Sequence, residues 1–460
     1  MGVEQRIISG EFVDLAGASI PASAIRDLLI TDGELDPRGI RIRNAHIDGQ
    51  LDLCDIHTKR PLVLRDCRTD SPVLLDRAQL SSLDLSGLVA PAVSAPWLRL
   101  DHYLYLQNAR LDGGKDDWAL DLGEANIGGH VSLNGAHLLS ETEFALNAPK
   151  LRTGSQLFLT NVTAVGTVRL DGARLGGNLR GDGSRLHSEH HAALLAIDMQ
   201  VDDNVYLGHG FHATTESAEH AAVRIRGCRI GGQLVLRGRA TGLVALDVKH
   251  VRLGMEILLA PDFLDGRISL DGLVYAGVPR LTTLDDWLEM LADRTPRYAS
   301  QPYLQLAATH QAAGNERDVR RVRIAQQRDL IRRGRLTRWG KLWHRVTGAT
   351  VGYGYRPATA LLWLAATLIT AIVLVAGVAG PAGLVRGASG ASCSVVEQVG
   401  LALNAATPLV KPDSQQRCQL ATSTGLGQAV VVSTWLLQIL AWAFATLFVA
   451  GFTGLVRKTS

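Results

Sequence analysis

The chain has 460 residues, more than one ordinary hydrophobic core holds, so two or three domains are expected. A net charge of +3 gives no footing for general nucleic-acid binding, and an aromatic content of 5% suits a narrow core. The positive charge is uneven: Arg317 to Arg345 holds eleven Arg/Lys against two Asp.

The N-terminal stretch MGVEQRIISGEFVDL has no basic start and no apolar h-region, so it does not read as a secretory signal. Arg6 stands where a myristoylation site wants Ser or Thr. The front of the chain is therefore expected in the cytoplasm. Residues 1–39 read as a cap in which Ala22–Ile30 has helical spacing ahead of a turn at Asp32-Gly33.

From Ile40 the pattern becomes strict alternation. One unit, Ala45-x-Ile47-x-Gly49-x-Leu51-x-Leu53, returns at Ala125–Leu133, at Ala173–Leu179 and at Cys228–Leu236. A looser unit, V/L-x-L-x-x-A-x-L, runs through Leu104–Leu111, Val131–Leu138, Val168–Leu175 and Val223–Ile230. Successive starts fall at positions 120, 131, 144, 157, 168 and 179, a short and nearly constant spacing. Period-2 apolar runs at such spacing mean many short strands, and internal repetition means a solenoid. The prediction for positions 40–278 is a single-chain β-helix with two units per coil, so that one coil takes about 22 to 26 residues. The small Ala or Cys of each unit is expected at a tight corner. The pairs Gly128-Gly129, Gly176-Gly177 and Gly231-Gly232 are expected to supply positive φ at bends, with Asn126, Asp171 and Asn178 beside them.

Residues 279–346 read as a helical linker. Asp285-Asp286 ahead of Trp287 suits a helix N-terminus, and 300–333 reads as two helices with a turn at Gly314-Asn315. The basic end of this segment is expected at a membrane interface on anionic headgroups. Its candidate interface residues are Arg332, Arg333, Arg335, Arg338, Trp339, Lys341 and Trp343, with Tyr353, Tyr355 and Arg356 following. Thr350-Val351-Gly352-Tyr353-Gly354 matches a potassium-filter motif letter for letter. It precedes the first apolar segment instead of lying between two, so it reads as an interfacial turn.

Residues 357–378 and 429–456 contain no charged residue, and about 20 apolar residues cross a bilayer as a helix. A two-helix transmembrane hairpin follows, so the chain is expected to be mainly β in front and helical behind. The basic segment on one side and Arg457-Lys458 on the other place both termini in the cytoplasm of a cell (inner) membrane. Loop 379–428 then faces outside, where Cys393 and Cys418 are expected to form a disulfide. Cys54, Cys67 and Cys228 should be reduced. Within that loop, residues 395–409 are helix-compatible until Pro408, so Gly400, Asn404, Thr407 and Pro408 form a candidate pore segment.

The stretches PRGI (37–40) with AHIDGQLDL (45–53), PLVLRDC (61–67), YLQLAATHQAAGNERDVRRVRIAQQR (303–328), VGYGYRPATALLWL (351–364) and AGFTGLVRK (450–458) together resemble one known family. It is a family of bacterial, mainly actinobacterial, membrane proteins with a pentapeptide-like β-solenoid in front. Its members often carry the label membrane-associated oxidoreductase. The resemblance covers nearly the whole chain, and VGYGYRP and GLVRK are its most specific parts. It implies the solenoid, the membrane attachment and, through the label, redox activity.

The residues themselves point to no catalytic, cofactor or metal site. The chain has no CxxC pair, no haem-attachment spacing, no Ser-His-Asp pattern and no phosphate loop. His187, Glu189, His190 and His191, with His209, His212 and His220, fit no closed zinc motif and read as a solvated loop. Asp202-Asp203 would point to opposite faces of a strand. Three expectations follow: a membrane-anchored scaffold that binds a protein partner or itself through the solenoid, an oligomeric channel-like subunit, and, on the family label alone, an oxidoreductase.

Overall fold

The computed structural model describes residues 3–31, 35–113, 118–334, 337, 339–340, 344, 350, 358–387, 393–406 and 418–452. The chain divides into two compact units, Met1–Val322 and Arg323–Ser460. The first is a parallel β-solenoid closed by helices.

Each coil has four short sides. From residue 73 to 100 the inward side chains come in pairs two apart, and the pairs recur at every fifth position. They are Val73/Leu75, Ala78/Leu80, Leu83/Leu85, Leu88/Ala90, Val93/Ala95 and Leu98/Leu100, none more than 5% exposed. Alternation sends residues i and i+2 inward, and a bend after every pair turns the chain to the next side. Coils stack in register. The first face carries eleven parallel strands, along which Leu83, Leu104, Val131, Leu157, Leu179, Val205 and Leu234 pair in succession. The second and third faces share a 16-stranded sheet, and the fourth has eight strands from Gln79–Leu80 to Arg252–Leu253.

The two units per coil that the sequence predicts are the first face (131, 157, 179) and the third face (120, 168), where the start read at 144 falls two residues early, since Leu146 is the residue that pairs with Leu120 and Val168. Coil length varies more than expected, in both directions. Along the fourth face the shortest coil carries the chain from Gln79 to Arg99, and the longest from Gln200 to Arg229. Insertions at the junction of the second and third faces lengthen some coils, as in the 11-residue strand His137–Asn147.

Two corners in most coils need positive φ. The residue there is Asn44, Asp66, Asn108 or Asn161 at the first corner, and Arg77, Glu124, Lys150 or Asp198 at the second. Ala45, Ala125, Ala173 and Cys228 each follow a positive-φ residue and are buried, so the small residue does sit at the corner. The Gly-Gly pairs do not supply the positive φ. None of the six glycines adopts it, whereas Gly135, Gly172, Gly183 and Gly227 do. Gly128, Gly154, Gly176, Gly231 and Gly254 lie instead where a Cβ would stand 2.0 to 2.7 Å from a carbonyl oxygen of the coil before. Asp171 does lie in a turn beside Gly172, while Asn126 is in the strand Asn126–Ile127.

The coils begin before Ile40. Val13 and Asp14 pair in parallel with Ile42 and Arg43, and the helix Ala22–Ile30 is inserted into this first coil. At the far end the open backbone edge is covered. Gln301 accepts from the Gly272 N–H (2.9 Å) and donates to the Leu273 carbonyl (2.9 Å), while Gln305 donates to the Tyr275 carbonyl (2.7 Å). A capping box of Thr283 and Asp286 starts the helix Leu284–Glu289. The helices Ser300–Ala312 and Glu316–Arg333 flank Gly314 at φ +75°, as the sequence indicates.

In the second unit, two helices are long and apolar enough to cross a membrane, Thr359–Ala379 and Gly425–Ala450. At 1.5 Å per residue the first is about 30 Å long, matching a bilayer core. Only 17% and 22% of their most apolar windows are buried. Leu362, Ile369, Trp435, Leu436 and Ile439 project outward.

Candidate functional site

The segment between the two long helices is built tightly. Val385–Gly387 pairs antiparallel with Cys418–Leu420, and Cys393 is disulfide-bonded to Cys418. The helix Val395–Ala406 opens with a capping box: Ser394 donates to the Glu397 carboxylate (3.0 Å) and accepts from the Glu397 N–H (3.4 Å). Gln398 donates to the Cys393 carbonyl (3.0 Å), which ties the helix to the disulfide. The helix packs against both long helices, including the π-helical end Val373–Ala379 of the first. Val375, Ala379, Leu384, Val385, Ala402, Cys418 and Val430 form the shared core.

Gly400 is half-buried and Asn404 is buried, on a helix held between the two long ones. Thr367 and Thr434, each buried on a long helix, return their hydroxyls to carbonyls of their own helices. Thr407 and Pro408 lie outside the described residues. Cys393, Glu397 and Cys418 cluster as a cation site would, but both sulfurs are consumed by the disulfide and no thiolate remains.

Of the candidate interface residues, Arg332 and Arg333 end the helix Glu316–Arg333. Both are ion-paired to buried Asp329, at 3.4 and 2.6 Å. They therefore steady the helix end as well as carrying charge. Trp339 is 81% exposed. Arg335, Arg338, Lys341, Trp343, Tyr353, Tyr355, Arg356, Arg457 and Lys458 lie outside the described residues, as does most of the TVGYG motif.

On the solenoid, His187, His190, His191 and His220 sit where the second face turns into the third, while His209 and His212 lie where the first face turns into the second. They disperse into separate contacts. His187 hydrogen-bonds Thr214 (2.9 Å), His190 lies beside Glu189, and the rings of His191 and His220 are 5.3 Å apart. Burial, then Arg224, then His191 hold the His220 pKa below its usual value. No metal-like group forms from these histidines among the described residues. The three reduced cysteines are poor nucleophiles. Burial pushes Cys54 and Cys67 up to about 11 and Cys228 up to about 12, so their thiolates are scarce at neutral pH.

Sequence reasoning missed an aromatic cluster on the first face. Tyr103 stacks on Tyr105 (4.3 Å), the Tyr105 hydroxyl bonds His130 (2.8 Å), and His130 meets Phe158 edge-on (6.0 Å). Tyr103 and Tyr105 share one coil while His130 and Phe158 belong to the next two, and the strand register places the three coils' side chains together.

Comparison with protein-family models, with curated proteins and with solved structures finds no match.

Proposed function

We propose that this chain is a membrane-anchored scaffold, with the solenoid as the binding body and the two apolar helices as its anchor. One observation carries the reading. The solenoid's polar and aromatic side chains run as columns along its faces, and the same chain holds two mostly unburied apolar helices. Repeat domains with such faces bind other proteins or stack with themselves. The half-buried Tyr105–Phe158 column is the favoured protein-binding stripe. The recurrence of buried pairs at every fifth position from residue 73 to 100 supports a pentapeptide-like repeat. The charge pattern supports an inner-membrane protein with both termini in the cytoplasm, and the disulfide supports an outside loop. Capture from membranes in mild detergent tests the reading. The intact chain should retain a stoichiometric partner or a second copy, and Tyr105→Glu with Phe158→Glu should release it. Recovery of neither would end the proposal.

A second reading is a channel-like subunit. It is favoured by the helix Val395–Ala406 lying against both long helices with Asn404 buried. This reading requires a symmetric oligomer and ion flux in liposomes. The redox activity that the family label implies draws no support from the cysteines.

A further inference from the structure

We propose that the fourth face of the solenoid is a docking surface for an anionic phospholipid bilayer. Arg99, Arg152, Arg174, Arg229 and Arg252 occupy one outward column, with Asn126 and Gln200 on the intervening rungs. Parallel rungs are about 4.8 Å apart, so the column is about 29 Å long. All five arginines are exposed, and none has an ion pair or side-chain hydrogen bond among the described residues.

The contrast with the second face shows that this is more than a habit of the repeat. There, Arg68, Arg110, Arg185 and Arg239 hold the equivalent column, and Asp48, Asp70, Asp112 and Asp265 stand beside it. Four positive charges meet four negative ones, and Arg68 and Arg239 pair with Asp70 and Asp265. Beside the fourth-face arginines the neighbouring column holds only Asp101 and Asp202; its other five rungs are the close-packed glycines. Five arginines against two aspartates leave an excess of three positive charges. At the flanking corners Glu124 is paired with Lys150 (3.0 Å), and exposed Asp198 and Asp203 add two further negative charges. The glycine floor leaves no side chain standing between the guanidinium groups and a flat partner.

A bilayer is favoured over a linear polyanion because the same chain carries two helices long enough to span one, which holds the solenoid at high local concentration near headgroups. The proposal rests on that membrane reading. The test uses full-length protein in liposomes, with Cys54→Ser and a fluorophore on Gln200→Cys, and headgroup-labelled lipid as acceptor. Energy transfer should rise when phosphatidylglycerol replaces part of the phosphatidylcholine, and should fall again at high salt. Arg152→Glu with Arg174→Glu and Arg229→Glu should abolish the rise, while the three Arg→Lys variants should keep it. A probe on Thr163→Cys, on the second face, should show no rise. No rise at Gln200, or one indifferent to charge reversal, would overturn the proposal. So would tight binding of a single-stranded oligonucleotide or polyphosphate that the same Glu variants remove, in vesicles where phosphatidylglycerol has no effect. Carbonate extraction is run alongside. Release of the chain would refute the anchor, and sedimentation of the released chain with phosphatidylglycerol vesicles would then test the face by itself.

Discussion

Gly154→Ala tests the stacked-coil geometry directly. A Cβ at Gly154 would stand 2.0 Å from the Gly128 carbonyl oxygen and 2.8 Å from its carbon, both backbone atoms of the preceding coil. Non-bonded heavy atoms rest near about 3.5 Å, so the two rungs must part by about 1 Å or more. Parting them stretches two hydrogen bonds that hold the coils together, Gly154 N–H to the Ile127 carbonyl (2.8 Å) and Ser155 N–H to the Gly129 carbonyl (3.1 Å). Each is worth about 1 kcal/mol net, and overpacking adds about 1–3 kcal/mol, so the substitution should cost about 3–5 kcal/mol. Gly49→Ala is the control. Gly49 has φ +85° but nothing within 4 Å of an added Cβ, so its cost is the backbone conformation alone, about 1–2 kcal/mol. Hydrogen exchange by mass spectrometry on the full chain in detergent reads the difference locally. Peptides around 125–129 and 152–157 should exchange about 10²–10⁴-fold faster in Gly154→Ala, with distant coils little changed. If Gly154→Ala loses no more protection than Gly49→Ala, the coils are not stacked at this spacing and the argument fails.

Other predictions concern titration, thiols and the loop. His310 is 5% exposed, and its Nδ1 lies 3.7 Å from Asp318. Burial lowers its pKa below 6.5 despite that carboxylate, so the unfolded chain binds the proton more readily. The stability His310 contributes is full above about pH 6.5 and is lost as pH falls toward the depressed value. Acidification to pH 5 should therefore lower the melting temperature of the solenoid unit, and His310→Gln should flatten that dependence. Iodoacetamide at neutral pH should modify Cys67 and Cys228 only after denaturant is added; rapid labelling in the native protein would contradict their burial. Cys393→Ser with Cys418→Ser reopens a loop of sequence separation 25, worth about 3.5 kcal/mol by chain entropy. Proteolysis within 379–428 should then accelerate while the solenoid's exchange pattern stays unchanged.

Much of the fold is legible because the physics that writes it is local. Alternation at Ala125–Leu133 needs only neighbours to send residues inward. Ala or Cys after a corner follows from the same crowding at every coil, and the apolar length of 357–378 is its own signal. The glycine pairs mislead for a definable reason. Gly appears both where φ is positive and where a Cβ would strike another coil, and one sequence does not separate the two. Gly135 is the first case and Gly154 the second. The arginine column is hidden by variable coil length. Its rungs fall at positions 99, 126, 152, 174, 200, 229 and 252, so no fixed spacing marks the ladder. Tyr103, Tyr105, His130 and Phe158 are hidden in the same way. The histidines that the sequence gathers into one patch fall on two successive coils, where His187 bonds Thr214 and the rings of His191 and His220 meet.

The mass of the full-length protein in nanodiscs, by mass photometry or native mass spectrometry, bears most directly on whether this chain is an anchored scaffold. The account predicts a monomer, or a dimer joined through the solenoid, whose two helices have no pore to line and whose first face is available to a partner. A closed tetramer or pentamer would contradict it and would make the helix Val395–Ala406 part of a shared pore.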